Sequence, residues 1–109
     1  MNAFEVLADP TRRRIIELVG SRERSVGELV DALAMNQPAV SKQLSVLRYH
    51  GFVAARIDGK RRMYRMLPEP LAEVDAWLAP YRRFWANRLD ALQVHMDRNA
   101  TRRDKTDGN

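Results

Sequence analysis

The chain has 109 residues, 45% hydrophobic and 30% charged, the make-up of one ordinary globular domain with a single modest core. Nineteen Lys and Arg against fourteen Asp and Glu leave a net charge of +5, a balance that favours a polyanionic partner. The absence of cysteine excludes disulfides, thiolate metal sites and thiol redox chemistry. With two histidines and neither a phosphate-binding loop nor a GxGxxG fingerprint, there is no nucleophile–base pair on which to build an enzyme.

No basic segment followed by an apolar run opens the chain, and no apolar run approaches the roughly 20 residues of a membrane span. The expectation is a cytoplasmic protein with no membrane partner. Phe4, Val6, Leu7 and Ala8 form a short apolar segment that stops at Asp9-Pro10. Asp9 suits an N-cap and Pro10 a first helical position. The helix they open should run to about Gly20, with Ile15, Ile16, Leu18 and Val19 inward and Gly20 as its stop.

Ser25-Val26-Gly27-Glu28 has the form of a capping box ahead of Leu29, Val30, Leu33 and Ala34. Met35-Asn36-Gln37-Pro38 interrupts that pattern, because Pro is tolerated only in a helix's first turn. A second helix follows over 37–50, with Val40, Leu44 and Leu47 at i, i+4 and i+7. Gly51 stands where a left-handed residue would end it.

Beyond Gly51 the period changes to two. Val53, Ala55 and Ile57 alternate with Ala54 and Arg56, and Asp58-Gly59 signals a type I′ hairpin turn. Pairing about that turn sets Arg56 opposite Arg61 and Val53 opposite Tyr64. Tyr64 then shares the apolar face, and Arg56, Arg61 and Arg65 share the other. Pro68 and Pro70 mark the exit.

Leu71, Val74, Leu78, Tyr81, Trp85, Leu89, Leu92 and Met96 then recur three or four residues apart, a long amphipathic stripe. Pro80 inside it implies a kink or a fresh helix start. Residues 99–109 hold nothing apolar larger than Ala100 and should form a disordered tail.

The fold expected is mainly α with a β-hairpin wing: a winged helix–turn–helix with N- and C-terminal dimerisation helices, spanning residues 1–98. Its helix–turn–helix would be 25–50, its wing 52–66 and its C-terminal helix 69–98. Charge follows this plan. Residues 37–66 hold seven basic side chains against Asp58 alone, so the cationic excess sits on the second helix of the pair and on the hairpin.

That helix has small and polar residues opposite its apolar stripe: Gln37, Pro38, Ala39, Ser41, Lys42 and Ser45. Small residues permit close approach to a groove, and Gln, Ser and Lys reach base edges or phosphates. The hairpin tip carries Lys60, Arg61 and Arg62, cations suited to phosphates or a minor groove. These nine residues are the candidate DNA contacts.

Thr11-Arg12-Arg13, Ser25-Val26-Gly27-Glu28-Leu29, Gln37-Pro38-Ala39-Val40-Ser41-Lys42-Gln43-Leu44, Leu47, Gly51-Phe52-Val53 and Gly59-Lys60-Arg61-Arg62-Met63-Tyr64 resemble the ArsR-type (ArsR/SmtB) winged-helix repressors over about residues 3–98. The resemblance implies a homodimeric transcription repressor that binds double-stranded DNA, with terminal helices in the dimer interface. It implies base or backbone contacts at Gln37, Pro38, Ser41 and Lys42, and wing cations at Arg61 and Arg62.

The sequence departs from the family's metal-sensing pattern. Leu29-Val30-Asp31-Ala32-Leu33 offers no ligand pair, and Asp75 and His95 would stand roughly 30 Å apart along one helix. The expectation is therefore the metal-independent branch, often autoregulatory, with no metal site and no cofactor. Any small-molecule effector is left unidentified.

The stripe of Leu71, Val74, Leu78, Tyr81, Trp85, Leu89 and Leu92 is expected to be the dimer interface, because a chain this short has little else to bury it against. A pocket for an effector lined by Trp77, Tyr81, Phe84 and Trp85 is the alternative use of the aromatics. Arg12-Arg13-Arg14 opposes its helix dipole and should find other partners, either acids such as Glu17 or DNA phosphate. Two other functions fit the same fold: a non-specific DNA-compacting protein, and a protein–protein module that meets an acidic partner.

Overall fold

A computed structural model describes the backbone of residues 1–107 and the side chains of residues 1–97. The elements in chain order are α1 (Ala3–Leu7), α2 (Pro10–Ser21), β1 (Arg24–Ser25), α3 (Val26–Leu33), α4 (Gln37–Tyr49), β2 (Val53–Asp58), β3 (Arg61–Met66) and α5 (Leu71–Asp107). The chain divides into two compact units, Met1–Val74 and Asp75–Asn109. The first is the winged helix–turn–helix expected from the sequence.

Local capping chemistry starts α2, α3 and α4 where the sequence placed them. Asp9 accepts from the Thr11 and Arg12 amides, with Pro10 in the first turn of α2. Ser25 and Glu28 form the complete reciprocal capping box of α3. Asn36 caps α4 through the Ala39 amide at 2.9 Å. Each of these bonds satisfies an amide that the helix itself leaves without an acceptor.

Helix ends are less uniform. Gly51, at φ 76°, follows α4; its amide bonds Arg48 O at 3.1 Å, and the Phe52 amide bonds Leu47 O at 2.8 Å. That paired pattern is a Schellman motif, and it turns Phe52 into the core. Gly20, by contrast, is no stop: α2 continues to Ser21. A Cβ at Gly20 would meet Met66 Sδ at 3.3 Å, so close packing on the sheet explains the glycine. Ala34 is likewise not a helical core residue but the left-handed cap of α3, at φ 52°.

The core of this unit gathers Val6, Ile15, Val19, Leu29, Val40, Leu44, Leu47, Phe52 and Val53. Leu71 and Val74, from the first turn of α5, pack half-buried against it. The stripe Val40, Leu44 and Leu47 is fully buried, as its i, i+4, i+7 spacing requires.

The sheet has three antiparallel strands in the order β1-β3-β2. The short β1, absent from the sequence expectation, pairs Arg24 with Tyr64 and Ser25 with Met63. The hairpin register also differs. Asp58 faces Arg61, Arg56 faces Met63, Ala55 faces Tyr64 and Val53 faces Met66. The two-residue loop is therefore Gly59-Lys60 rather than Asp58-Gly59. Only Gly59 takes positive φ there, at 63°, and glycine in the first central position is the mark of a type II′ turn. The slip is of two residues, so side-chain faces survive it: Tyr64 does share a face with Val53, Ala55 and Ile57.

In the second unit α5 is one continuous helix through Pro80, where the sequence implied a kink or a fresh start. Pro80 removes one backbone bond. Arg82 spans the weakened turn, pairing with the Asp75 carboxylate and reaching its carbonyl at 3.5 Å. The backbone is helical to Asp107; beyond Pro80 the sequence holds no proline or glycine before Gly108. The expected disordered tail, 99–109, has its side chains and last two residues outside the described residues.

The two left-handed positions make opposite predictions. Gly51→Ala should lower stability by about 1 kcal/mol from backbone strain, since a new Cβ meets only Pro70 Cγ, at 3.8 Å. Ala34→Gly should raise it by roughly 0.5 kcal/mol. Urea unfolding midpoints check both, and a loss in both variants would contradict the strain argument.

Candidate nucleic-acid interface

The N-terminal turn of α4 and the tip of the β2–β3 hairpin border one cleft. Ser25, Val26, Gly27, Gln37, Lys60, Arg61 and Arg62 line it, enclosing about 390 Å³. Four of the nine candidate DNA contacts thus share one concave surface. Along α4, Gln37, Pro38, Lys42 and Ser45 are exposed, whereas Ala39 and Ser41 are half-buried. Burial of Val40, Leu44 and Leu47 on the opposite side leaves these residues outward.

Arg61 and Arg62 leave the ribbon on opposite faces, because side chains alternate along a strand. Arg62 shares its face with Ile57, its cross-strand partner. No hydrogen bond or ion pair holds Arg62 or Lys60 among the described residues. Arg61 lies on the side of α3. Its guanidinium is 3.6 Å from Met63 Sδ and 3.9 Å from the Glu28 carboxylate.

Glu28 is the hub of this side. It accepts the Ser25 amide at 3.1 Å and pairs with Arg22 at 2.9 Å. The Ser25 amide bond, and next the hydrogen bond from Arg22, hold its carboxyl below the usual range. A neighbouring pair joins Arg56 of β2 to Glu23 at 2.8 Å. Sequence reasoning saw Glu28 only as a helix cap. Its tie to Arg61, on β3, spans 33 residues of sequence, which no local pattern announces.

The arginine run that opens α2 is explained structurally. Arg13 bonds the Leu7 carbonyl, Arg14 pairs with Glu17 at 3.4 Å as expected, and Arg12 turns inward. Among the described residues no three His, Cys, Asp or Glu side chains converge as metal ligands. No described helix is long and apolar enough to cross a membrane.

In the second unit, Tyr81 lies between Trp77 and Trp85, with ring centroids 5.8 and 6.1 Å apart. Arg88 sits 4.4 Å over the Phe84 ring. Trp77, Tyr81, Phe84, Trp85, Leu89, Leu92, Val94 and Met96 are 43–62% exposed. The proposed interface residues therefore divide: Leu71 and Val74 are half-buried on the first unit's core, Leu78 is half-buried, and Tyr81, Trp85, Leu89 and Leu92 are exposed.

A lowered carboxyl pKa in the folded chain means stability present above the ordinary value of 4.5 and lost as pH falls through the folded value. The stability gap between the wild type and Glu28→Gln should therefore shrink as pH drops from 7 to 3. Denaturant titrations at both pH values check this; a gap that widens in acid would contradict it.

Comparison with known proteins places this geometry. Residues 9–55 match the model of the bacterial regulatory protein, arsR family. The chain is 44% identical over 72 residues to the uncharacterized HTH-type transcriptional regulator Rv0081 of Mycobacterium tuberculosis, a stretch covering 65% of this chain and 63% of that relative. The match thus spans less than two thirds of that relative's length. Over 95 residues it is 40% identical to the HTH-type transcriptional regulator Rv2034 of the same organism, covering 87% of this chain and 86% of the relative. The solution structure of the homodimeric winged helix-turn-helix DNA-binding domain of Mb0332 from Mycobacterium bovis matches with TM-score 0.59 and 32% identity, over 72% of this chain and 73% of that one. These relatives are regulators rather than enzymes. A family model laid over the helix–turn–helix, with a relative matched along most of the chain, establishes that the protein belongs to the arsR family of bacterial regulatory proteins.

Proposed function

We propose that the protein is a homodimeric, sequence-specific repressor of transcription that binds double-stranded DNA at an inverted repeat and regulates its own promoter. The observation that carries this is the cleft shared by Gln37 of α4 and Lys60, Arg61 and Arg62 of the wing. A helix tip and a cationic ribbon in one surface can grip a major groove and its flanking phosphates together. Gln37, Ser41 and Lys42 supply the direct readout, while Pro38, Ala39 and Ser45 let the helix approach closely. Lys60 and Arg62 meet phosphate unencumbered, and Arg61 exchanges its loose contact with Glu28 for one.

The second copy covers α5. Exposed apolar side chains on one helix are more than a monomer ordinarily leaves in water, and the Mb0332 domain is a homodimer. Leu78, Tyr81, Trp85, Leu89 and Leu92 form the centre of this interface, with Leu71 and Val74 at its edge. Two-fold symmetry then sets two α4 helices about 34–36 Å apart, on successive major grooves. Repression follows from occupying promoter DNA against RNA polymerase.

The reading includes no metal switch and no cofactor, on the ground that the chain has no Cys and only two His. DNA affinity should be unchanged by added Zn²⁺; stoichiometric Zn²⁺ binding that releases DNA would overturn this part.

A mobility shift on the chain's own upstream DNA tests the whole. Preference for one inverted repeat over bulk DNA by roughly 10³-fold is expected; uniform binding would favour non-specific compaction. Because each protomer of the dimer loses two phosphate contacts, the Arg61→Ala, Arg62→Ala double variant should lower the slope of log affinity against log salt by about 3.6, with Arg62→Ala the costlier single change. Leu89→Lys with Leu92→Lys should sediment as a monomer and lose the specific complex. A variant that stayed dimeric would place the interface elsewhere.

A further inference from the structure

Arg12 makes the most connected side-chain contact in the first unit, and neither DNA nor the dimer stripe accounts for it. Its side chain is 13% exposed. Nε donates to Val6 O at 2.7 Å and Nη2 to Glu5 O at 3.1 Å. Both acceptors lie in the last turn of α1, where carbonyls outnumber helical donors and a cation is favoured. Nη1 donates to Gln43 Oε1 of α4 at 3.2 Å, across 31 residues of sequence. The Asp9 carboxylate lies 3.8 Å from the same nitrogen. One planar guanidinium thus joins α1, the start of α2 and the middle of α4, a fork that lysine's single ammonium does not reproduce.

Gln43 is half-buried, whereas its neighbours Lys42 and Ser45 are exposed. Its side-chain oxygen is taken up by Arg12 rather than left to solvent. The apolar stripe decides which face of α4 is buried, but apolar contact is non-directional and permits small rotations. A charge-assisted hydrogen bond has direction and removes that freedom.

We infer that Arg12 is a positioning residue for DNA binding: through Gln43 it fixes the rotation of α4 relative to α1, so that the placement of α1 is transmitted to the groove-reading side chains. This rests on the DNA-binding reading above. It adds a mechanical link between the chain's first helix and its recognition helix.

Three variants test it: Gln43→Met, which keeps the length and removes the acceptor, Gln43→Glu, which keeps an acceptor for Arg12, and Arg12→Lys. Affinities for the upstream inverted repeat and for bulk DNA are measured over a salt series and compared at matched salt, well below each variant's melting temperature. Gln43→Met should lose about tenfold in the ratio of specific to bulk affinity, with the salt slope unchanged because no phosphate contact is lost. Gln43→Glu should keep the wild-type ratio within about twofold. Adding Arg12→Lys to Gln43→Met should cost nothing further in that ratio, since both remove one link. A wild-type ratio in Gln43→Met, or independent additive losses, would overturn the inference.

If the wild type prefers no inverted repeat, the DNA-binding reading fails by itself. The link is then judged without DNA, by residual dipolar couplings of α4 against α1. A changed orientation in Gln43→Met supports it, and an unchanged one overturns it even should Arg12→Lys fail to fold.

Discussion

Burial of one stripe on α4 is the constraint from which the rest of the first unit follows. Val40, Leu44 and Leu47 are 0–1% exposed, locked among side chains from α1, α2, α3 and β2. Truncating any of them to alanine would cost about 2–5 kcal/mol, a large share of the 5–15 kcal/mol typical of a whole domain. Because a helix has 3.6 residues per turn, committing these three positions inward commits Pro38, Lys42 and Ser45 outward. The outward surface of α4 is therefore a by-product of the core.

Arginine performs two unlike tasks around that core. Arg12 and Arg13 satisfy carbonyls at the end of α1 and act as internal struts. Among the described residues no partner holds the Arg62 side chain on the wing, and Arg61 is tethered loosely to Glu28. The distinction matters for the charge map: the seven cations of residues 37–66 are not one patch. They are split by the hairpin's two faces, and Arg56 is already committed to Glu23.

The second unit follows a different logic. Its large apolar side chains lie exposed along one helix. Aromatic rings four residues apart pack on each other, which orders the surface without burying it. Among the described residues the face stays apolar and exposed.

Much of this was legible in the sequence because it is local. Caps at Asp9, Ser25 and Asn36 act across two or three residues, Gly51 serves its own φ, and the burial of Val40, Leu44 and Leu47 follows from period alone. Nine candidate contacts could be named, and four line one cleft, because helix and hairpin periods dictate which residues face out. The hairpin register was off by two residues, since the turn is decided by which residue takes positive φ, but its faces were right because two is the strand's own period. Tertiary structure alone decided the rest. The two-residue β1 has no period and exists only because β3 lies beside it. Gly20 is small because Met66 lies against it, and Glu28 meets Arg61 only once β3 lies beside α3. Arg12 finds Gln43 across 31 residues. These are long-range choices of partner, and a linear pattern holds no record of which distant group will be within 3 Å.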